Sequence, residues 1–194
     1  LLFGTGIRDQ FQDIFGVLLS RPDRVRERLL DALQYQFADG STLHNYFKLV
    51  KTGERTHHSD TPLWIPLGIG NYIKETGDTG ILNETVTFYD AGSATVLDHM
   101  RLALDYALGQ TGEHGLPKIM NGDWNDTLDH IGSAGKGETV WGAFFLAFAL
   151  RESADLMRHA GYPEFAKAYD GSYEKLSKTI NDMTWDGNWY LRAF

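Results

Sequence analysis

The chain has 194 residues, 42% hydrophobic and 13% aromatic, with a net charge of -8 and no cysteine, enough for one ordinary domain or a piece of a larger one. The acidic balance argues against a nucleic-acid partner, which wants a basic face, and no apolar run approaches the roughly 20 residues that cross a bilayer. Without Cys there is no disulfide framework and no thiolate zinc site, which fits a cytoplasmic protein.

Helices and loops fill the chain in order, with no convincing strand. Ile7 to Leu19 carries Phe11, Ile14, Phe15, Leu18 and Leu19 at helical spacing. Pro22 starts a second helix whose apolar stripe, Val25, Leu29, Leu30 and Leu33, continues to about Phe37, and Gly40 ends it. A polar and aromatic loop follows. Asp60 reads as an N-cap for a third helix that runs through Trp64, Leu67 and Ile73 to a Gly77 stop. Gly92 and Ser93 open a fourth, with Val96, Leu97, Met100, Leu104 and Leu108. A fifth begins near Thr139 and ends at Gly161, and Pro163 and Glu164 start the sixth. Helices joined alternately by short and long connections describe hairpins with their long loops gathered at one end. The fold class expected is all-α, an (α/α)6 toroid of which residues 1–194 hold about half.

Between the fourth and fifth helices, Thr111 to Glu138 shows no regular period. A loop that long in a compact domain is functional or disordered, and Leu116, Ile119, Met120, Leu128 and Ile131 are apolar enough to anchor it. Its centre, Gly122-Asp123-Trp124-Asn125-Asp126-Thr127-Leu128-Asp129, sets three carboxylates and an amide beside an indole. Carboxylates next to an aromatic plane suit a group that holds a sugar ring and protonates its glycosidic oxygen. A calcium loop is excluded because Leu128 stands where the turn needs Gly. A P-loop is excluded for Gly132 to Gly137, since His130 replaces the first Gly and no Ser or Thr follows Lys136. His57 and His58, being adjacent, point apart, and no metal site is expected.

Four segments occur in order: Arg8-Asp9-Gln10-Phe11-Gln12-Asp13, Ser59-Asp60-Thr61-Pro62-Leu63-Trp64, Gly122-Asp123-Trp124-Asn125-Asp126 and Gly137-Glu138-Thr139-Val140-Trp141. Together they resemble the inverting β-glucoside phosphorylases of the cellobiose, chitobiose and laminaribiose type, from about Thr5 onward. The resemblance implies a partial (α/α)6 catalytic barrel whose flanking domains lie outside this chain. It matches Asp126 to the general acid, and Arg8, Asp13, Trp124 and Asn125 to residues around the sugar. Asp60 matches an acidic position of the second motif, although His57 and His58 depart from its commoner patterns. The substrates implied are a β-linked di- or oligosaccharide and inorganic phosphate, with no other cofactor, and the intact enzyme is expected to be a homodimer.

An acid near neutral pH must keep its proton, which calls for apolar surroundings or neighbouring negative charge. Trp124, Asp123 and Asp129 offer both to Asp126. Two other classes stay open: an (α/α)6 inverting hydrolase, with Asp60 or Glu138 as base, and a non-catalytic carbohydrate-binding fragment. Exposed apolar side chains, mainly on the first and sixth helices, are expected if half a barrel is present.

Overall fold

The computed structural model describes residues 4–194 and divides the chain into two compact units, Leu1–His57 with Trp64–Tyr106, and His58–Leu63 with Ala107–Phe194. Among the described residues no helix is long and apolar enough to cross a membrane.

In the first unit three helices pack on one another: α1 (Ile7–Val17), α2 (Pro22–Leu33) and α3 (Trp64–Thr76). Their apolar positions recur at helical spacing, so Phe11, Val25, Leu29 and Ile69 all meet in a core fully closed to solvent. Gly68 sets how close α1 comes to α3, because a Cβ there would stand 2.4 Å from the Phe11 ring. A three-stranded antiparallel sheet, β1 (Thr5–Gly6), β2 (Asn45–Phe47) and β3 (Thr52–Glu54), pairs Thr5 with Tyr46 and Tyr46 with Gly53. Tyr46 points inward, stacks on Tyr35 with ring centroids 3.7 Å apart, and donates its hydroxyl to Gln10 Oε1. A second hairpin, β4 (Thr85–Thr87) and β5 (Ser93–Thr95), runs directly into α4 (Val96–Gly109).

The second unit is built on α5 (Val140–Ala160) and α6 (Pro163–Thr184), a tight helical hairpin. Leu146, Ala149, Leu150 and Ala154 of α5 and Ala166, Leu176 and Ile180 of α6 are buried. The turn between them needs a left-handed residue, and Gly161 supplies it at φ 86°, with Pro163 in the first helical turn. After α6 the chain reverses at Asp186–Trp189, and Arg192–Phe194 lies antiparallel to Glu138–Val140. On its other edge Gly137–Thr139 bonds Pro117 and Ile119.

All six expected helices are present, which makes the chain largely helical. The expectation of no strand is overturned: five strands occur among the described residues, each of two or three residues. Segments that short cannot display a period of two in sequence. The second helix stops at Leu33, not Phe37, because Gln36 to Thr42 forms a bridged turn in which Phe37 N donates to Ser41 O at 2.8 Å. The fourth starts at Val96, since Ser93 to Thr95 is strand. Among the described residues, exposed large apolar side chains lie at Val17 and Leu19 at the end of the first helix and at Met183 on the sixth, as expected, and also at Phe144 and Phe148 on α5 and at Trp185 and Trp189 beyond α6.

Candidate active site

Gly122 to Asp129 is fixed from both ends within the second unit. On the entry side His58 bridges Met120, and Ser59 N donates to Gly122 O at 2.9 Å. Gly122 is obligatory there: its φ is 148°, and a Cβ would stand 3.0 Å from the His58 ring. On the far side a short 3-10 turn, Asp126–Gly132, carries the chain away.

Of the three carboxylates one is buried. Asp123 is closed to solvent and accepts Asn125 N at 2.9 Å, Thr139 Oγ1–H at 2.6 Å, and Arg192 Nη2 at 2.8 and 2.7 Å to its two oxygens. Burial of a charge is tolerated when it is paired and hydrogen-bonded, and here four bonds meet it. Thr139 serves twice, since it also caps α5 by accepting Gly142 N at 2.8 Å. Asn125 repeats the device one turn on: its Oδ1 accepts Thr127 N at 3.2 Å and Thr127 Oγ1–H at 2.7 Å. Asp126 therefore sits within the second of two successive side-chain-made turns.

The Asp126 side chain is half-exposed, 3.5 Å from the His58 imidazole, which is itself buried. Trp124 beside it in sequence is also half-exposed, and Asp129 faces solvent next to His130. The sequence leads one to expect Asp123 to stand as negative charge beside Asp126. Its charge is instead matched by Arg192, so Asp123 acts on the loop through geometry. Asp60 is fully buried at the start of the Thr61–Leu63 turn, where its carbonyl accepts Leu63 N at 3.0 Å.

In the first unit Arg8 is largely covered, whereas Asp9 and Asp13 lie at the surface of α1. The polar side chain buried in that motif is Gln10, which donates to Arg28 O at 3.0 Å. The two histidines do diverge: His57 bonds Tyr106 in the first unit, and His58 faces Asp126 in the second.

Glu138, the other candidate base, is also buried. Its Oε1 accepts His114 N at 2.9 Å, and its Oε2 lies 3.1 Å from His114 Nδ1. His114 stacks on Phe194. A carboxylate so occupied is a structural group, and its seat requires Gly112, where a Cβ would meet Oε1 at 1.9 Å.

Comparison with known proteins places this architecture. Residues 2–194 match the family described as "Glycosyl hydrolase 94 superfamily, catalytic domain". The chain belongs to that superfamily. It is 38% identical over 98% of its length to a solabiose phosphorylase of Paenibacillus borealis, covering 24% of that protein. It is 33% identical over 97% of its length to a cyclic beta-(1,2)-glucan synthase of Rhizobium meliloti, covering 7% of it. A 3-O-beta-D-glucopyranosyl-beta-D-glucuronide phosphorylase of Paenibacillus borealis is 32% identical over 97% of the chain and 25% of its own length. The chain thus spans about a quarter or less of the relatives it matches.

Two groups in this glycosyl hydrolase 94 chain escaped sequence reasoning. Arg192 lies 69 positions from Asp123, and His114 lies 24 from Glu138, so no local pattern joins either pair. The one available signal was the lone acidic position in the Gly137-Glu138-Thr139 motif, which a buried carboxylate explains.

Proposed function

We propose that this chain is part of the catalytic barrel of an inverting phosphorylase acting on a β-linked di- or oligosaccharide. Phosphate attacks the anomeric carbon from the face opposite the leaving oxygen. The glycosidic bond breaks as Asp126 gives its proton to that oxygen, and the products are an α-sugar 1-phosphate and a shortened sugar. The observation that carries the assignment is that Asp126 is the carboxylate of the Trp-Asn-Asp triplet, half-exposed on a loop whose buried carboxylate, Asp123, is otherwise engaged.

An inverting hydrolase needs a second carboxylate to activate water. Phosphate is already an anionic nucleophile, so the acid suffices. Glu138 spends its oxygens on His114, which removes it as a base and supports phosphorolysis over hydrolysis. The names of the relatives point the same way, two of the three being phosphorylases.

Around the acid, Trp124 offers an indole face to the sugar ring, and Asn125 and Asp60 complete the set drawn from the second unit. Arg8 and Asp13 of the first unit are assigned to sugar binding on their motif alone. No metal or organic cofactor takes part, inorganic phosphate being the co-substrate. The whole enzyme is read as a cytoplasmic homodimer with an (α/α)6 barrel, half of it in this chain. The exposed Phe144, Phe148 and Trp189 support a domain whose apolar faces are covered by further helices.

Asp126→Asn in the full-length enzyme tests the reading. General acids contribute about 10²–10⁴-fold, so phosphorolysis of a disaccharide should fall by that factor. A glycoside with an activated leaving group should be affected far less. Asp129→Asn should be near wild type on both. A crippled Asp129→Asn beside a healthy Asp126→Asn would move the acid to the other carboxylate.

A further inference from the structure

Arg192 belongs to none of the four motifs, yet it reaches the buried carboxylate of the acid loop. Its Nη2 bonds both oxygens of Asp123 at 2.8 and 2.7 Å, while Nη1 reaches Thr139 Oγ1 at 3.3 Å. The backbone beside it is pinned as well, since Val140 N donates to Arg192 O at 3.2 Å. One nitrogen of the guanidinium spans the carboxylate while the other holds Thr139, so the fork ties Asp123 and Thr139 together in one geometry, which a single ammonium cannot do.

That tie matters because Asp123 Oδ1 also accepts Asn125 N, the residue before the acid. Asn125 in turn holds Thr127, the residue after it, by two bonds to its Oδ1. Rotation of the Asp123 carboxyl therefore moves the backbone on which Asp126 stands.

We propose that Arg192 is a positioning residue: by orienting Asp123 it sets the place of Asp126 relative to the glycosidic oxygen. This rests on the assignment of Asp126 as the acid. A displacement of about 1 Å at a reacting group can cost about 10²-fold.

The test uses the full-length protein, with Arg192→Lys keeping the charge and removing the fork. The probes are whichever of cellobiose, laminaribiose and solabiose the wild type phosphorolyses, and the corresponding 2,4-dinitrophenyl β-glycoside. On the disaccharide kcat should fall about 10–100-fold, with KM within about threefold. The dinitrophenyl glycoside, whose leaving group needs no proton, should stay within about threefold. In an Asp126→Asn background the same substitution should cost less than about threefold, because its route to the chemistry is already gone.

Equal losses on both substrates, or additive losses in the double variant, would overturn the proposal by showing a merely structural role. A raised KM for phosphate with unchanged kcat would overturn it too, making Arg192 a ligand contact. If Arg192→Lys lacks a cooperative melt, Asp123→Asn takes its place under the same criteria. Asp126→Asn near wild type sinks the acid assignment, and with it this one. A crippled Asp126→Asn beside a wild-type Arg192→Lys sinks the positioning role alone.

Discussion

Thr139 joins α5 to the Gly122 to Asp129 loop, and removing its hydroxyl should be costly in a measurable way. Its Oγ1 accepts Gly142 N at 2.8 Å and donates to buried Asp123 at 2.6 Å, with the whole residue closed to solvent. Loss of a Thr N-cap costs about 1 kcal/mol, and loss of a hydrogen bond to an ionised group about 1.5–3 kcal/mol. Asp123 keeps Arg192 and Asn125 N, which places the second figure near its lower end. With the buried methyl, worth about 0.8 kcal/mol, Thr139→Ala should destabilise by about 3 kcal/mol. Thr139→Ser keeps the hydroxyl and should lose only about 1 kcal/mol. Urea unfolding followed by circular dichroism measures both, with unchanged slope as the sign that stability alone has moved. In a chain of this size the alanine variant should melt roughly 6–12 °C lower. Ala and Ser variants within about 0.5 kcal/mol of each other would refute the idea that this hydroxyl holds helix and loop together.

Gly112→Ala should destabilise by about 1–3 kcal/mol, because its Cβ would fall 1.9 Å from Glu138 Oε1 and 2.5 Å from Cγ in a buried site; a thermal melt matching wild type would show that Glu138 has room to move. Burial holds the His99 imidazole below its ordinary value of 6.5, with its ring nitrogens against Gln36 Oε1 and the Val86 carbonyl. Above pH 6.5 both states are neutral at this residue; as pH falls below it the unfolded chain binds the proton first, so stability is lost progressively down to the folded pKa. Wild type should therefore lose stability between about pH 7 and 5 more steeply than His99→Gln, and parallel pH profiles in urea unfolding would contradict this.

The helices were legible by their apolar period, and α2, α5 and α6 also by local punctuation: Pro22 and Pro163 in first turns, Thr139 as cap, Gly161 beyond α5. The Gly122 to Asp129 loop stood out by lack of period and density of polar groups. What could not be read was pairing at a distance. The β1–β2–β3 sheet joins residues some forty positions apart, Thr5 to Tyr46 among them, through strands too short to advertise themselves. The distinction between Asp123 and Asp126 was equally hidden, since three nearby carboxylates look alike until Arg192 selects one for burial. In the first motif the sequence drew attention to Arg8 and Asp13, whereas packing buries Gln10, whose partners Arg28 and Tyr46 lie outside it.

Incubation of the full-length protein with cellobiose, laminaribiose or solabiose, with and without inorganic phosphate, tests the central claim most directly. Proton NMR of the first-formed product reads both the phosphate dependence and the anomer. Cleavage only in the presence of phosphate, releasing an α-sugar 1-phosphate that disappears in Asp126→Asn, is the outcome expected. Free sugars formed at equal rate in phosphate-free buffer, or a β-configured sugar phosphate, would contradict it.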